Sequence, residues 1–221
     1  MKGIRLTLLA ALGALMVGGA VASAANLLVD PSFEDPNLYT HDGPPFIGSW
    51  EGFNGSALSS SVNDTLSPRT GQRDAHLNIT ASNNDFAGFF QDVLVTAGVS
   101  YTWSGFHKSV NLNPADYVTE VRFEWRNSVS NTEVSRNQIL PIATSVYSPF
   151  SVTAVAPVGA DTARVVYAIQ TFSDTGTLNT GAVFVDDVSL TAVPEPSTLA
   201  VLSLGGLAAL RRRRLNASID L

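Results

Sequence analysis

The sequence contains no cysteine, so it can form neither a disulfide bond nor a thiol nucleophile. Histidine is scarce as well, because His41, His76 and His107 are far apart, and the chain has no HExxH, GxSxG or paired-histidine spacing. These absences argue against the common hydrolytic and metalloenzyme sites. They also require the fold to be held by a sizeable core, with or without help from a metal ion.

Positive charge is rare in the body of the chain. Of the 13 lysines and arginines six lie in the terminal segments, which leaves seven between residues 26 and 193, against 17 aspartates and glutamates there. An acidic body with a net charge near −10 repels phosphate backbones, so nucleic acid is excluded as a partner and cations or neutral polymers are favoured.

The N-terminal segment has the three parts of a secretory signal. Lys2 and Arg5 precede an uncharged stretch from Leu6 to Val21, and Ala22-Ser23-Ala24 forms a small-residue cleavage site. This pattern predicts a signal peptide over residues 1–24, built around a helix. The alternative is an N-terminal anchor that is not cleaved.

The C-terminal segment is also tripartite, with Pro194-Glu195-Pro196, an uncharged run and an arginine cluster. The prolines end the preceding fold because each lacks an N–H and fixes its own φ. The apolar run from Thr198 to Leu210 would be only about 20 Å long as a helix, against a hydrocarbon core of about 30 Å. The cluster Arg211, Arg212, Arg213 and Arg214 is expected to stay in the aqueous layer where translocation stops.

This arrangement, with Val193-Pro194-Glu195-Pro196-Ser197-Thr198 as its first part, resembles the PEP-CTERM sorting signal over residues 193–214. The resemblance implies export, transient retention in the inner membrane, recognition of the Pro-Glu-Pro motif by an exosortase, and delivery to the cell surface or extracellular matrix. Residues 215–221 are then a disordered tail. An ordinary membrane anchor that is never cut is the alternative.

Between these ends, residues 25–192 alternate apolar and polar side chains with a period of two, as half-buried strands do. In one such strand Val121, Phe123 and Trp125 share a face, whereas Glu120 and Arg122 share the other. The predicted strands cover 26–35, 46–53, 75–80, 86–95, 101–108, 118–126, 146–155, 163–172 and 182–190. Eight or nine short strands, mostly antiparallel, predict an all-β, two-sheet antiparallel jelly-roll sandwich.

The order of several short segments resembles the galactose-binding-like jelly roll of carbohydrate-binding modules. They are Asn26-Leu27-Leu28 with Phe33-Glu34, then Thr70 to Leu77, Phe90 to Val93, Ala97 to Thr102, and Val183 to Leu190. The resemblance implies a structural Ca²⁺ where the first and last strands meet, with Glu34 and one of Asp186 or Asp187 as ligands. The alternative is that these carboxylates are ordinary turn and edge residues.

A jelly roll of this kind would hold a glycan on the exposed face of one sheet, where flat aromatic rings and planar polar side chains suit sugar rings. The candidate ligand-binding residues are Arg122, Glu124 and Gln170, with Phe106 or Tyr117 as aromatic platforms. Two ordinary interpretations stand beside this one. Trp103 and Trp125 fit core positions, and Arg122 between Glu120 and Glu124 fits a salt-bridge ladder on a solvated face.

The sequence does not indicate catalysis. Glu120 and Glu124 would be about 13 Å apart on one strand face, beyond the separation of about 6.5–9.5 Å in inverting glycosidases. We therefore expect an exported, non-enzymatic surface or matrix protein that binds carbohydrate such as a biofilm exopolysaccharide. The alternative is a purely structural surface protein that binds no sugar.

Overall fold

A computed structural model describes residues 24–80, 84–111, 117–171 and 181–193. The predicted signal peptide up to residue 23 and everything after Val193 lie outside these ranges, and so do the predicted terminal helices, the Pro194–Pro196 motif and the arginine cluster. Among the residues described, no helix is both long enough and apolar enough to cross a bilayer.

Eleven strands form two sheets that pack face to face. Their bounds are β1 Tyr39–Thr40, β2 Trp50–Asn54, β3 Ser59–Asp64, β4 Asp74–Ile79, β5 Phe86–Leu94, β6 Ser100–Val110, β7 Tyr117–Asn127, β8 Thr132–Ile139, β9 Ser148–Val155, β10 Thr162–Thr171 and β11 Gly181–Ala192. The only helical element in the described part is a 3-10 turn over Pro36–Leu38.

The six-stranded sheet has the order β1-β2-β5-β10-β7-β8, and the five-stranded sheet has the order β3-β4-β11-β6-β9. All pairings are antiparallel except the two-residue pairing of β1 with β2. The predicted all-β two-sheet sandwich is therefore confirmed. Period-two alternation produces it, because each strand buries one face against the opposite sheet.

Aromatic side chains fill the space between the sheets. Trp50, Trp103 and Trp125 are all fully buried, and the Phe89 and Tyr167 rings stack at 5.9 Å with an angle of 9° between their planes. Phe33 adds a ring 5.0 Å from Trp50 although its backbone has a φ of 56°, which is unusual for a bulky residue. The core position predicted for Trp103 and Trp125 is confirmed, and a core of this size explains how the fold dispenses with disulfides.

The first predicted strand, at residues 26–35, is wrong. Two backbone hydrogen bonds join this segment to β11, from Leu27 N to the Leu190 carbonyl and from Val188 N to the Pro31 carbonyl. Side-chain amides take the place of a continuous ladder: Asn26 Nδ2 donates to the Val188 carbonyl and Leu190 N donates to Asn26 Oδ1. Gln91 pairs in the same way with both backbone groups of Val29. β3 and β8 were not predicted, because their polar composition gives little alternation between apolar and polar residues.

Candidate functional site

A groove of about 380 Å³ crosses the outer face of the six-stranded sheet. Five consecutive strands contribute to it, namely β2, β5, β10, β7 and β8. Its lining residues are Phe53, Phe86, Val118, Glu120, Arg122, Gln138, Leu140, Ala168, Ile169 and Gln170. The groove is thus aromatic toward β2 and β5 and polar toward β7 and β8.

The aromatic part depends on a glycine beneath it. Phe53 lies against the sheet directly over Gly88, where an added Cβ would be only 2.4 Å from the Phe53 Cζ atom. Phe86, which is 39% exposed, has its ring centre 6.1 Å from that of Phe53. Because Gly88 has no side chain, the Phe53 ring can lie low on the sheet and offer a broad apolar surface beside Phe86.

The charged part is a ladder of ion pairs along β7. Arg122 lies between two carboxylates, 2.5 Å from Glu120 Oε2 and 2.8 Å from Glu124 Oε1. Glu124 is 6% exposed and also contacts Arg126 at 3.4 Å. Side chains at alternate positions of one strand share a face, which brings these charges together. The ladder considered from the sequence therefore exists, and Arg122 forms part of the groove wall within it.

Two amides complete the groove. Gln170 on β10 and Gln138 on β8 both line it, and neither side chain has a hydrogen-bond partner among the residues that the structure describes. An amide offers two donors and an acceptor with two lone pairs, which suits the hydroxyl groups of a sugar. These two side chains are the available polar groups of the groove.

The structure brings only some of the five predicted ligand-binding residues to the groove. Arg122 and Gln170 line the groove, and Glu124 supports Arg122 from a nearly buried position. The predicted platforms are corrected. Phe106 lies on the other sheet, with the Arg69 guanidinium 3.5 Å over its ring, and Tyr117 is 3% exposed and packs in the core.

Phe53, Phe86 and Gln138 are three of the groove residues that were not predicted from the sequence. In β2 buried Trp50 and Gly52 alternate with half-buried Glu51 and Phe53, and this alternation indicates that the Phe53 side chain faces outward. Phe86 begins β5 and Gln138 lies in an exposed edge strand, so the pattern around them gives no comparable signal.

The predicted metal ligands surround the loop that precedes β4. Glu34 accepts hydrogen bonds from the backbone N–H groups of Gln72 and Arg73, at 2.9 and 3.2 Å to Oε1. Asp186, which is fully buried, accepts from the N–H groups of Arg69 and Thr70 at 2.7 and 3.0 Å. Desolvation by burial raises the pKa of Asp186.

Asp187 follows Asp186 with a φ of 50° and points to other partners. It contacts Arg69 Nη1 at 2.5 Å and accepts from the hydroxyls of Thr70 and Ser32. Partial burial raises the pKa of Asp187, but hydrogen bonds from Thr70, Arg69 and Ser32 outweigh that effect and hold it below its usual range.

Calcium requires six to eight oxygen ligands that converge on one point. Within the described ranges no group of three or more histidines, aspartates or glutamates is placed to hold a metal ion. In this arrangement Glu34, Asp186 and Asp187 accept hydrogen bonds from N–H and O–H donors, and Asp187 also contacts the guanidinium of Arg69. The calcium site stays a prediction from the resemblance, and thermal unfolding with and without calcium tests it.

A fourth carboxylate lies beneath the same loop. Asp74 is fully buried, pairs in register with Asp64, and accepts a hydrogen bond from Ser67 N at 3.0 Å, while its Oδ1 has no partner among the described residues. Burial, followed by the neighbouring Asp64, raises the pKa of Asp74 to about 8. The protonated form is therefore favoured in the folded protein.

Comparison with protein families matches residues 192–214 to the PEP-CTERM protein-sorting motif. The C-terminal segment is a PEP-CTERM sorting signal. The PEP-CTERM motif begins at Ala192, the last residue of β11, so no linker separates the sandwich from it. Such a motif indicates an exported protein that an exosortase processes. A search of curated protein sequences finds no significant match to the chain.

Solved structures similar to this chain share its sandwich at low sequence identity. The CBM22-1 xylan-binding domain of Xyn10C from Paenibacillus barcinonensis has a TM-score of 0.52 and 13% identity, covering 79% of this chain and 98% of that one. A carbohydrate-binding module of the β-sandwich superfamily with promiscuous specificity has a TM-score of 0.51 and 17% identity, covering 76% and 63%. The described fold is thus the jelly roll of carbohydrate-binding modules.

The same fold occurs within a larger protein. The enzymatically active domain of tailspike protein 4 from bacteriophage CBA120 has a TM-score of 0.54 and 12% identity over 76% of this chain. The match covers only 21% of the tailspike chain. At these identities the likeness concerns the fold alone.

Proposed function

We propose that this protein is an exported, exosortase-sorted component of the cell surface or extracellular matrix whose sandwich binds polysaccharide without cleaving it. One observation carries the proposal: an open groove on the outer face of the six-stranded sheet combines two accessible phenylalanines with two amides that have no partner in the described part of the chain. The signal peptide directs export. The C-terminal apolar run holds the chain in the inner membrane until the exosortase acts at Pro194–Pro196.

The chemistry of the groove suits a sugar chain. The apolar C–H faces of sugar rings stack on Phe53 and Phe86, and their hydroxyl groups exchange hydrogen bonds with Gln138 and Gln170. Arg122 is neutralised by Glu120 and Glu124, so the described lining of the groove offers no free cation to a polyanion. An uncharged polysaccharide, such as a neutral exopolysaccharide of a biofilm, is therefore the favoured ligand class. The known xylan-binding domain of the same fold supports carbohydrate as that class.

The groove also favours binding over hydrolysis. Glu120, which lines the groove, and Glu124, which lies beside it, are both bonded to the guanidinium of Arg122. A glycosidase needs one carboxylic acid that keeps its proton and one carboxylate that activates water or attacks the sugar. Two carboxylates that share one arginine are not differentiated in this way.

A glycan array with the secreted protein, followed by calorimetry on the best ligand, tests the proposal. Phe53→Ala is expected to weaken binding by about 5- to 30-fold, since stacking on one aromatic ring contributes of the order of 1–2 kcal/mol. Gln170→Ala is expected to weaken it less. The matched control is Leu58→Ala, which removes a side chain that is 53% exposed and lies outside the groove.

The alternative is a purely structural surface protein, and the ion-pair ladder is the observation that favours it. That alternative predicts no retained glycan, or retention that Phe53→Ala and Leu58→Ala change equally. Either result would overturn the binding proposal, whereas detection of shortened glycan products would overturn the non-catalytic assignment.

A further inference from the structure

The sandwich has two ends, and the sorting motif leaves from one of them. Three loops form this end, here called the tail-side end: residues 95–99, 127–131 and 156–161. They connect to the last residues of β5, β7 and β9 and the first residues of β6, β8 and β10. Val193, the last described residue before Pro194, donates its N–H to the Ser100 carbonyl at 2.8 Å, directly beside the first of these loops.

Hydrogen bonds join the three loops into one surface. Gly98 N donates to the Ala156 carbonyl at 2.8 Å, and Val95 N donates to the Asp161 carbonyl at 2.9 Å. Asn127 Nδ2 donates to the Gly159 carbonyl at 2.9 Å, and Ser128 contacts both carboxylate oxygens of Asp161. The tail-side end is therefore a fixed face of the sandwich.

This face has almost no charge in an acidic protein. Among residues 95–99, 127–131 and 156–161 the only ionisable side chain is Asp161, and its oxygens accept hydrogen bonds from Ser128 and Thr162. Two valines are the most prominent side chains, because Val129 is 92% and Val158 is 91% exposed. An uncharged face with apolar tips avoids the repulsion that an anionic lipid surface exerts on the rest of the body.

The short stretch of chain between Val193 and the apolar run limits the distance between the tail-side end and the membrane. Four residues separate Val193 from Thr198, where the apolar run begins, and the five steps from Val193 to Thr198 span at most about 17 Å. The headgroup layer takes roughly 7 Å of that distance. While the apolar run is in the bilayer, the tail-side end is therefore held within about 10 Å of the headgroup surface.

We propose that the tail-side end is a membrane-docking face, which rests on the lipid headgroups with Val129 and Val158 as contacts and orients the sandwich before the sorting signal is cut. The inference rests on the membrane retention of the tail given under Proposed function and is independent of sugar binding. Two valines bury little apolar area, so the face orients a tethered domain and does not bind membranes by itself.

The absence of cysteine allows a direct test with single labels. Full-length chains carrying Val129→Cys, Val158→Cys or Ile142→Cys would each be coupled to an environment-sensitive fluorophore and reconstituted into phosphatidylethanolamine–phosphatidylglycerol vesicles containing a headgroup-linked quencher. Ile142 is the matched control. It is 69% exposed and apolar but lies at the opposite end, where the Pro141 carbonyl beside it accepts from Thr119 near the start of β7.

We expect quenching and a blue shift for the labels at 129 and 158 and neither for the label at 142. Equal quenching at both ends in vesicle-bound protein would overturn the docking face and leave the retention of the tail intact. If the full-length chain does not sediment with the vesicles, both the retention and the docking face are overturned.

A second experiment keeps the label at one position and changes the charge of the tail-side end. With the fluorophore on Ala97→Cys, Val129→Asp with Val158→Asp is expected to reduce quenching, because two carboxylates are repelled by phosphatidylglycerol. Ile142→Asp with Val146→Asp, at the opposite end, is the control and should leave the signal of the label at 97 unchanged. An equal effect of both pairs would contradict the proposal.

Discussion

The outer faces of the two sheets carry similar side chains but differ in what covers them. On the six-stranded sheet, Phe53 and Gln170 line an open groove. On the five-stranded sheet, Phe106 lies beneath the Arg69 guanidinium, and Lys108 donates a hydrogen bond to Ser67 in the same loop. An outward aromatic residue is available to a ligand only where no loop closes over it, and strand periodicity does not reveal that difference.

The covering loop, residues 65–73, is held by buried acceptors. Asp186 accepts from Arg69 N and Thr70 N, and Tyr147 Oη donates to the Ser67 carbonyl at 2.7 Å from the far side. The groove has no equivalent clasp among the described residues that line it. Asp186→Ala is designed to release the loop that covers the five-stranded sheet, and Gly88→Ala to deform the groove on the six-stranded sheet. Asp74→Asn tests the carboxyl group that is buried beneath the loop.

The largest effect is expected from Asp186→Ala, which removes the acceptor of three backbone N–H groups, those of Arg69, Thr70 and Asp187. Unpaired buried donors cost about 1–3 kcal/mol each, so the free energy of unfolding should fall by about 3–5 kcal/mol. Urea unfolding measures the change. The exposed Asp42→Ala is the control, and an equally small loss in both variants would show that the loop is not held by Asp186.

A smaller loss of stability is expected from Gly88→Ala, which deforms the open face. The new Cβ would lie 2.4 Å from Phe53 Cζ and 2.7 Å from the Tyr167 carbonyl oxygen. Overpacking of this kind costs about 1–3 kcal/mol. Phe53 must also leave the sheet surface, so glycan binding should weaken although every lining side chain is retained.

Ser104→Ala, on the outer face of the other sheet, is the control for this change and should affect neither property. Unchanged glycan affinity in a folded Gly88→Ala variant would show that the position of the Phe53 ring does not matter for binding.

The smallest effect is a change of pH dependence with Asp74→Asn. Because burial raises the pKa of Asp74 to about 8, its folded form keeps a proton that the unfolded chain loses near pH 4. The contribution of protonated Asp74 to the free energy of unfolding is therefore fully present below about pH 4, and it is lost progressively as the pH rises to about 8. An asparagine side chain at this position cannot ionise, so the variant should lose less stability than the wild type between pH 5 and pH 8.

Urea unfolding at pH 5 and pH 8 measures this difference, with Asp42→Asn as the exposed control. A variant that shows the same loss between the two pH values as the wild type would place the proton on another group.

The strands with strong alternation could be predicted because each buries one face. Val121, Phe123 and Trp125 in β7 are all fully buried, as the period of two indicates. The polar strand β8 could not be predicted, since an exposed edge strand imposes no apolar face. The strand predicted at residues 26–35 is wrong because the apolar composition there gives no sign that the side chains of Asn26 and Gln91 bond much of the backbone.

The candidate site was predicted in part for a related reason. Arg122 and Gln170 occupy outward positions of regular strands, so their face follows from the alternation. Phe106 also occupies an outward position, yet loop 65–73 covers it. Tyr117 is the first residue of β7 and its side chain lies on the inward face, so the alternation of β7 places it in the core and not in the groove.

Local sequence determined the sorting signals of this protein and its fold class. Charge, apolar length and proline position are read within one segment, and period-two alternation needs only neighbouring residues to define a buried face. The tertiary structure alone decided which of the two outer faces stays open, which carboxylates meet beneath the loop, and which uncharged loops gather where the sorting motif leaves. Those outcomes depend on contacts between residues that are far apart in the chain, for which a single sequence contains no local signal.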